Sequence, residues 1–318
     1  MFDRYSAKKN VGFVALGMAF IFVFSMALQI FISIFVSRFA PWMLDHVFWS
    51  WAMGSFPMYF CAMPLSILFF RQCRVIEKPI KRKISVAAFL GTLAVCFSSI
   101  YVCNIIGELV NLRFSEILGK EPVNEIVEMT TAAPLWVNAL FTVVLAPVFE
   151  ELFFRKLVID RLLPYGELPA ILISGVAFGL IHGNFNQFFY AAAVGVAFGI
   201  IYTRTGNIRY SIIMHMILNA IGGVFAAEAQ KLLDGGSWGG IFAGVSGETI
   251  GFVMNGIYLA VLVAAVIGAI ITLANYRKWY IPFCRPMYGP NFEDWVHMIL
   301  FNPPVWMFLA VCGLMFVM

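Results

Sequence analysis

The sequence predicts an all-α fold, a polytopic membrane helix bundle of about eight to nine transmembrane helices. Hydrophobic residues make up 62% of the chain and charged residues only 12%, about half the charged fraction of an ordinary soluble domain. The mean hydropathy is +0.88. Apolar runs of about 18 residues or more recur, and each is long enough to cross a hydrocarbon core of about 30 Å. These observations exclude a soluble domain, and no DNA-binding motif or cofactor fingerprint is present.

Hydropathy places nine apolar segments along the chain, at roughly 10–37, 47–70, 85–108, 134–160, 168–183, 185–203, 209–229, 249–274 and 295–317. The first has no small-residue cleavage site, so we predict a retained helix rather than a signal peptide. The fifth is short and is a candidate re-entrant segment. We divide the chain into N-terminal helices with an outer connector (1–133), a central region (134–229) and C-terminal helices (230–318).

The distribution of lysine and arginine predicts the orientation in the membrane. With nine spans, 17 of the 21 basic residues fall on the side of the N-terminus, and the other side keeps Arg38, Arg113, Lys120 and Lys231. Basic residues concentrate in cytoplasmic loops. We therefore predict a cytoplasmic N-terminus and an external C-terminus, an orientation that depends on the helix count.

Three polar clusters interrupt the apolar helices of the central region: Glu150 and Glu151 with Arg155, Phe178 with His182, and His215 with Asn219. An ionisable group within hydrocarbon costs several kcal/mol by most estimates and marks a functional site by default. Carboxylates, imidazoles and an amide are the groups needed to activate a water molecule and to stabilise an oxyanion. The pattern indicates a hydrolase within the membrane, most consistent with a protease.

Spacing within the first cluster assigns different roles to its two carboxylates. Glu151 and Arg155 are four residues apart, on one helical face, which predicts an ion pair. Glu150 points about 100° away and is free to face other helices. A desolvated carboxylate at that position is a candidate general base toward water.

The other two clusters bring imidazoles and an amide to the same region. His215 and Asn219 are also four residues apart, so both can donate toward one developing oxyanion. Phe178 lies one turn before His182 and is expected to place its ring beneath the imidazole. Glu150 lies 14 residues before Pro164 and His182 lies 14 after Leu168, on either side of the turn at 164–167, and so both stand about 20 Å from it along their helices. We therefore expect the clusters to converge in the cytoplasmic half of the bundle.

The ordered motifs resemble those of a known family. The set Glu-Glu-x-x-x-Arg at 150–155, Phe-x-x-x-His at 178–182 and His-x-x-x-Asn at 215–219 resembles the CAAX-protease and bacteriocin-processing family, also called the Abi or type II CAAX prenyl endopeptidase family. The resemblance covers about 134–229 and is stronger to bacterial members, which implies a multi-pass protein of a bacterial plasma membrane.

The resemblance implies an α-helical intramembrane endopeptidase with these roles: Glu150 with His182 to activate water, His215 with Asn219 to stabilise the tetrahedral oxyanion, and Glu151 with Arg155 in support. Its partners would be the lipid bilayer and a peptide or membrane-anchored protein substrate, with no nucleic acid. A prenylated C-terminus, a peptide pheromone and a bacteriocin leader remain open as substrates, and so does the oligomeric state.

The sequence leaves the involvement of a metal open. We favour glutamate-type catalysis with no cofactor required. The alternative is zinc held by Glu150, His182 and His215, because one carboxylate and two imidazoles can form a three-ligand site with an open position for water. No His-Glu-x-x-His motif is present.

Two other function classes compete with the protease. A non-catalytic membrane immunity or regulatory protein would keep the fold and act by binding, but a scaffold has no need for a desolvated carboxylate beside two imidazoles. A transporter would use the charged groups as an ion pathway. The charges form one cluster instead of a chain across the bilayer, which disfavours the transporter.

Overall fold

The fold is a helical bundle, described here by a computed structural model over residues 3–73, 79, 81–121, 125–237, 245–275 and 289–317. Those residues form no β-strand. The helices are α1 (Arg4–Phe39), α2 (Val47–Phe70), α3 (Val86–Leu118), α4 (Glu125–Ala132), α5 (Leu135–Tyr165), α6 (Glu167–Leu180), α7 (Phe185–Thr205), α8 (Ile208–Leu233), α9 (Gly247–Ala274), α10 (Phe292–Ile299) and α11 (Pro303–Val317). The predicted all-α, multi-pass membrane fold is confirmed.

The number of full spans is lower than the nine that hydropathy places. Within the described ranges, seven helices are long and apolar enough to cross a membrane, or eight if α10 and α11 count as one span bent by 62°. The predicted fifth span is α6, whose 14 residues extend about 21 Å. That length is short of the hydrocarbon thickness, so α6 ends within the bundle at a turn that returns the chain into α7.

One end of the bundle, which we call the basic end, gathers the start of α1, the end of α2, the start of α3, the α5–α6 turn and the end of α7. Four contacts join these parts: Asn10 with Tyr165, Arg161 with Phe70, Arg82 with Thr205, and Arg204 with Glu167. The predicted cytoplasmic residues Arg74, Lys78, Arg277, Lys278 and Arg285 lie outside the described residues.

The other end, which we call the opposite end, gathers the start of α2, the end of α3, the α4–α5 connection, and the ends of α8 and α11. Phe48 stacks on Trp136 with 5.5 Å between ring centroids. Lys231 Nζ donates to the Ala133 carbonyl over 2.8 Å, and Lys120 Nζ donates to a carbonyl at the end of α11. Each of the long helices α1, α2, α3, α5 and α8 therefore runs from one end to the other.

The short α6 packs against α7 closely enough to require glycine. A Cβ atom at Gly175 would lie 2.8 Å from the Val196 nitrogen, and one at Gly179 would lie 2.6 Å from the Phe188 carbonyl oxygen. Small residues spaced four apart let two membrane helices approach this way. The close packing fixes the depth at which α6 ends, and with it the position of His182.

Candidate active site

The Glu151–Arg155 ion pair predicted from spacing is confirmed and is buried completely. Arg155 donates from Nε and Nη2 to the two carboxylate oxygens of Glu151, over 2.8 and 3.1 Å, and neither side chain is exposed to solvent. Its Nη1 donates to Ser174 Oγ, and Ser174 in turn donates to the Phe154 carbonyl. This network locks α5 to α6, because a buried pair is stable only when its other polar atoms are also satisfied.

Glu150 faces away from that pair, as its position on the helix predicts, and meets α2. The hydroxyl of Tyr59 donates to Glu150 Oε1 over 2.9 Å, and the Tyr59 ring stacks on Phe149 at 5.2 Å. Glu150 is only 7% exposed. A hydrogen bond to a charged acceptor is stronger than one between neutral groups, so Tyr59 holds the carboxylate in one orientation.

His215 lies between the two carboxylates. Its Nε2 is 3.9 Å from Glu150 Oε2 and its Nδ1 is 3.4 Å from Glu151 Oε1. The second contact is within ion-pair range but lacks hydrogen-bond alignment, and Nδ1 has no hydrogen-bond partner. The ring packs edge-on to Phe178 at 5.7 Å. The imidazole therefore lies within electrostatic range of both carboxylates and is aligned for a hydrogen bond with neither.

The position of His182 fixes its tautomer. Nδ1 lies 2.8 Å from the Phe178 carbonyl oxygen, which can only accept, so Nδ1 carries the proton. Nε2 therefore presents a lone pair. The Phe178 ring stands edge-on to this imidazole as well, at 5.2 Å, so one aromatic side chain supports both histidines.

The side chain of Asn219 donates to a backbone carbonyl of α5 that has no donor within its own helix, because a proline occupies the donor position. In the π-helical stretch Ala139–Leu145 the Ala146 amide bonds the Phe141 carbonyl, and the next donor in that register would be Pro147. Proline has no N–H, so the Thr142 carbonyl accepts instead from Asn219 Nδ2, over 2.8 Å. One N–H of this amide is therefore committed to α5, and one remains.

Three of the membrane spans that form the site contain π-helical turns. π-helical stretches cover Pro57–Ala62 of α2, both sides of the glutamates in α5 at Ala139–Leu145 and Leu152–Ile159, and Asn219–Phe225 of α8. Such insertions often occur at functional sites, where they redirect side chains that a regular helix would turn elsewhere. Tyr59 and Asn219 lie within these stretches.

All four predicted catalytic residues line one cavity of about 630 Å³, together with Phe178. Glu150 stands fifteen residues from each bound of α5. The site is therefore at mid-length of this helix. Its location in the cytoplasmic half of the membrane stays a prediction. The catalytic roles of these residues stay predictions.

Sequence reasoning missed Tyr59 and the Thr142 carbonyl. Tyr59 lies in α2, outside the region that carries the motifs. The available signal was a phenol in an apolar segment, just after Pro57, because a buried tyrosine hydroxyl usually finds a polar partner. The sequence does not reveal which partner that is.

The alternative zinc site finds no matching arrangement of ligands. In the part of the chain that the structure describes, no group of three or more His, Cys, Asp or Glu side chains is placed to hold a metal ion. Glu150, His182 and His215 share the cavity but do not form such a group. One oxygen of the Glu150 carboxylate, Oε1, accepts a hydrogen bond from Tyr59.

We expect Tyr59→Phe to reduce turnover about ten- to hundredfold, because a hydrogen bond to a charged group is worth about 1.5–3 kcal/mol. The ring stack on Phe149 is kept, so KM and thermal stability should change little. The matched control is Tyr165→Phe, which removes a hydrogen bond of 2.6 Å from Asn10 at the basic end. Equal turnover in the two variants would contradict a positioning role for Tyr59.

Two comparisons with known proteins match the part of the chain that contains these residues. Residues 132–221 match the family model described as "Type II CAAX prenyl endopeptidase Rce1-like", and this range contains all three motifs. The Bacillus subtilis (strain 168) protein named "Putative membrane peptidase YdiL" is 28% identical over 135 residues, which cover 42% of this chain and 54% of that protein. The chain thus spans about half the length of this curated relative.

No solved structure matches the chain, so the assignment depends on sequence similarity and on the geometry of the motifs. The family match falls on α5 to α8, the helices that bring the glutamates, the two histidines and Asn219 to one cavity. Over these helices the chain is similar to the type II CAAX prenyl endopeptidase Rce1-like family.

Proposed function

We propose that the protein is an intramembrane endopeptidase that hydrolyses a peptide bond with a water molecule activated by Glu150. The observation that carries the proposal is a nearly buried carboxylate on a cavity wall, held by Tyr59 and adjacent to His215. The family match and the membrane-peptidase name of the Bacillus subtilis protein support it. The substrate is a peptide or a membrane-associated protein.

In the first step the Glu150 carboxylate takes a proton from a water molecule in the cavity. The water oxygen attacks the carbonyl carbon of the scissile bond, and the carbonyl electron pair moves onto oxygen. His182 Nε2, which has a lone pair because Nδ1–H donates to the Phe178 carbonyl, accepts a hydrogen bond from the other hydrogen of this water and orients the attack. General-base assistance of this kind typically contributes about 10²–10⁴-fold.

The tetrahedral oxyanion then needs donors that are already in place. Asn219 has one N–H left after its bond to Thr142. The second donor is His215 through Nε2, and its ring is placed between Glu150 and Glu151. Collapse of the intermediate breaks the C–N bond, and the proton held by Glu150 passes to the leaving nitrogen. No metal is required in this sequence, and metal-independent hydrolysis is part of the proposal.

The proposed location is the plasma membrane of a bacterium, with the N-terminus in the cytoplasm. The basic end holds most of the described lysines and arginines, which is typical of cytoplasmic loops. The opposite end holds Arg113, Lys120 and Lys231, close to Glu116 and Glu228. The relative from Bacillus subtilis supports a bacterial source.

The variant Asn219→Ala distinguishes the proposed peptidase function from that of a non-catalytic immunity or regulatory protein of the same fold. Loss of one oxyanion donor typically lowers turnover about 10²–10³-fold, and the ground-state carbonyl needs the donor less. We therefore expect cleavage of a reporter peptide in membranes to fall by that factor, while capture of the peptide in a pull-down persists.

A second substitution controls for the structural bond of Asn219. Pro147→Ala restores an N–H that can bond the Thr142 carbonyl, so Asn219→Ala with Pro147→Ala should regain stability but not turnover. Recovery of cleavage in this double variant would reduce Asn219 to a structural role. Unchanged biological activity in Asn219→Ala would favour the binding protein.

A further inference from the structure

The cavity extends from the catalytic groups toward only one end of the bundle. On four helices the lining extends from the level of the catalytic groups toward the opposite end: Trp51 to Tyr59 on α2, Phe97 to Glu108 on α3, Phe141 to Glu150 on α5, and His215 to Gln230 on α8. These helices alternate in direction, and the same end is favoured on all four. The whole cavity therefore extends toward the opposite end, whichever helix is considered.

The cavity reaches the surface of the bundle at this end. Its lining includes Glu108 and Gln230, both exposed, and the side chains between them and the site include Asn104, Thr130 and Thr131. Polar groups on a cavity wall are compatible with water, and hydrolysis consumes water. Glu108 and Gln230 form the rim of the cavity, and polar side chains line the wall from this rim to Glu150.

The path toward the basic end is closed by packing. Phe154, Phe198 and Tyr202 are fully buried there. Lys156 Nζ donates to the Tyr202 hydroxyl over 2.7 Å, and this hydroxyl donates to Asp160 over 2.6 Å. Side chains at this density leave no passage for a peptide between the site and the basic end.

We infer that the catalytic cavity opens to the exterior of the cell, so that the substrate is a peptide or polypeptide segment on the non-cytoplasmic side of the membrane. The sidedness follows from the closed basic end, whose charges mark the cytoplasmic face, and from the open rim at the opposite end. The substrate class rests in addition on the proposed peptidase function. An exported peptide or an external segment of a membrane protein would meet this requirement, and a cytosolic chain would not.

Cysteine labelling tests the sidedness without any need for turnover. Ser55→Cys places a thiol on the cavity wall, one turn before Tyr59; Gln230→Cys places one at the rim; Arg209→Cys places one at the exposed start of α8, at the basic end. A membrane-impermeant maleimide is applied to intact cells and to permeabilised cells. Labelling is measured above that of the parent chain, whose own cysteines set the background.

We expect Gln230→Cys and Ser55→Cys to be labelled in intact cells as fully as after permeabilisation, and Arg209→Cys to be labelled only after permeabilisation. The inverse pattern would overturn the sidedness. Ser55→Cys that stays unlabelled in both conditions, while Gln230→Cys reacts, would overturn the open cavity.

A vesicle assay tests the substrate class. A reporter peptide with charged ends, added outside, should be cleaved by right-side-out vesicles, and by inverted vesicles only after detergent is added. Cleavage by inverted vesicles without detergent would overturn the inference. If labelling follows the expected pattern and no vesicle cleaves any reporter, the sidedness stands and the proposed peptidase function fails.

Discussion

Glu150→Gln is expected to abolish peptide cleavage while the protein still folds and inserts into the membrane. The amide has the shape of the carboxylate and can still accept the hydrogen bond from Tyr59. It cannot take a proton from water, so the step that generates the nucleophile is lost. Initial rates in proteoliposomes and thermal unfolding in detergent would be measured on the same preparations.

The matched control for this variant is Glu116→Gln. Glu116 is an exposed carboxylate of α3 that pairs with Arg113 over 2.9 Å, beyond the cavity. The Glu116→Gln variant should therefore keep wild-type activity and stability. Wild-type turnover in Glu150→Gln would rule out Glu150 as the base, whereas joint loss of cleavage and folded protein would point to a structural role.

Arg155→Met is expected to destabilise the protein by about 3–5 kcal/mol, because it leaves the Glu151 carboxylate buried and unpaired. The double variant Glu151→Gln with Arg155→Met removes both charges and should recover most of this loss. Its cleavage activity should stay low, since His215 would lose the carboxylate 3.4 Å from its Nδ1. Thermal unfolding and cleavage are both needed to separate these effects.

Arg113→Met serves as the control, because it breaks an ion pair whose side chains are 77% and 53% exposed. Exposed pairs contribute only about 0–1 kcal/mol, so little change in unfolding is expected. An Arg155→Met protein as stable as Arg113→Met would show that the buried network is not what fastens α5 to α6.

Local sequence spacing predicted the parts of the site that lie on single helices. The Glu151–Arg155 pair and the placement of Phe178 beside His182 depend only on the helical repeat, and both are present. Hydropathy predicted the membrane bundle, because a single apolar run is long enough by itself to indicate a membrane helix.

Contacts between helices that are far apart in the sequence could not be predicted from spacing or hydropathy. Tyr59 meets Glu150 across 91 residues, and Asn219 meets Thr142 across 77. Both contacts depend on the register and the π-helical turns of packed helices, which a hydropathy pattern does not specify. The end of α6 was hard to predict as well, because Ile181 continues the apolar run past Leu180, where the helix ends.

Cleavage in ¹⁸O-labelled water by metal-free protein tests most directly whether this site hydrolyses peptide bonds through a glutamate-activated water. The protein would be purified with chelator, reconstituted and given a library of apolar reporter peptides, and the new carboxyl group of each product would be weighed. We predict one ¹⁸O atom in that group, at a rate that chelator does not change and that Glu150→Gln removes. Folded wild-type protein that binds peptides but yields no labelled product, or yields it only after zinc is added, would contradict this mechanism.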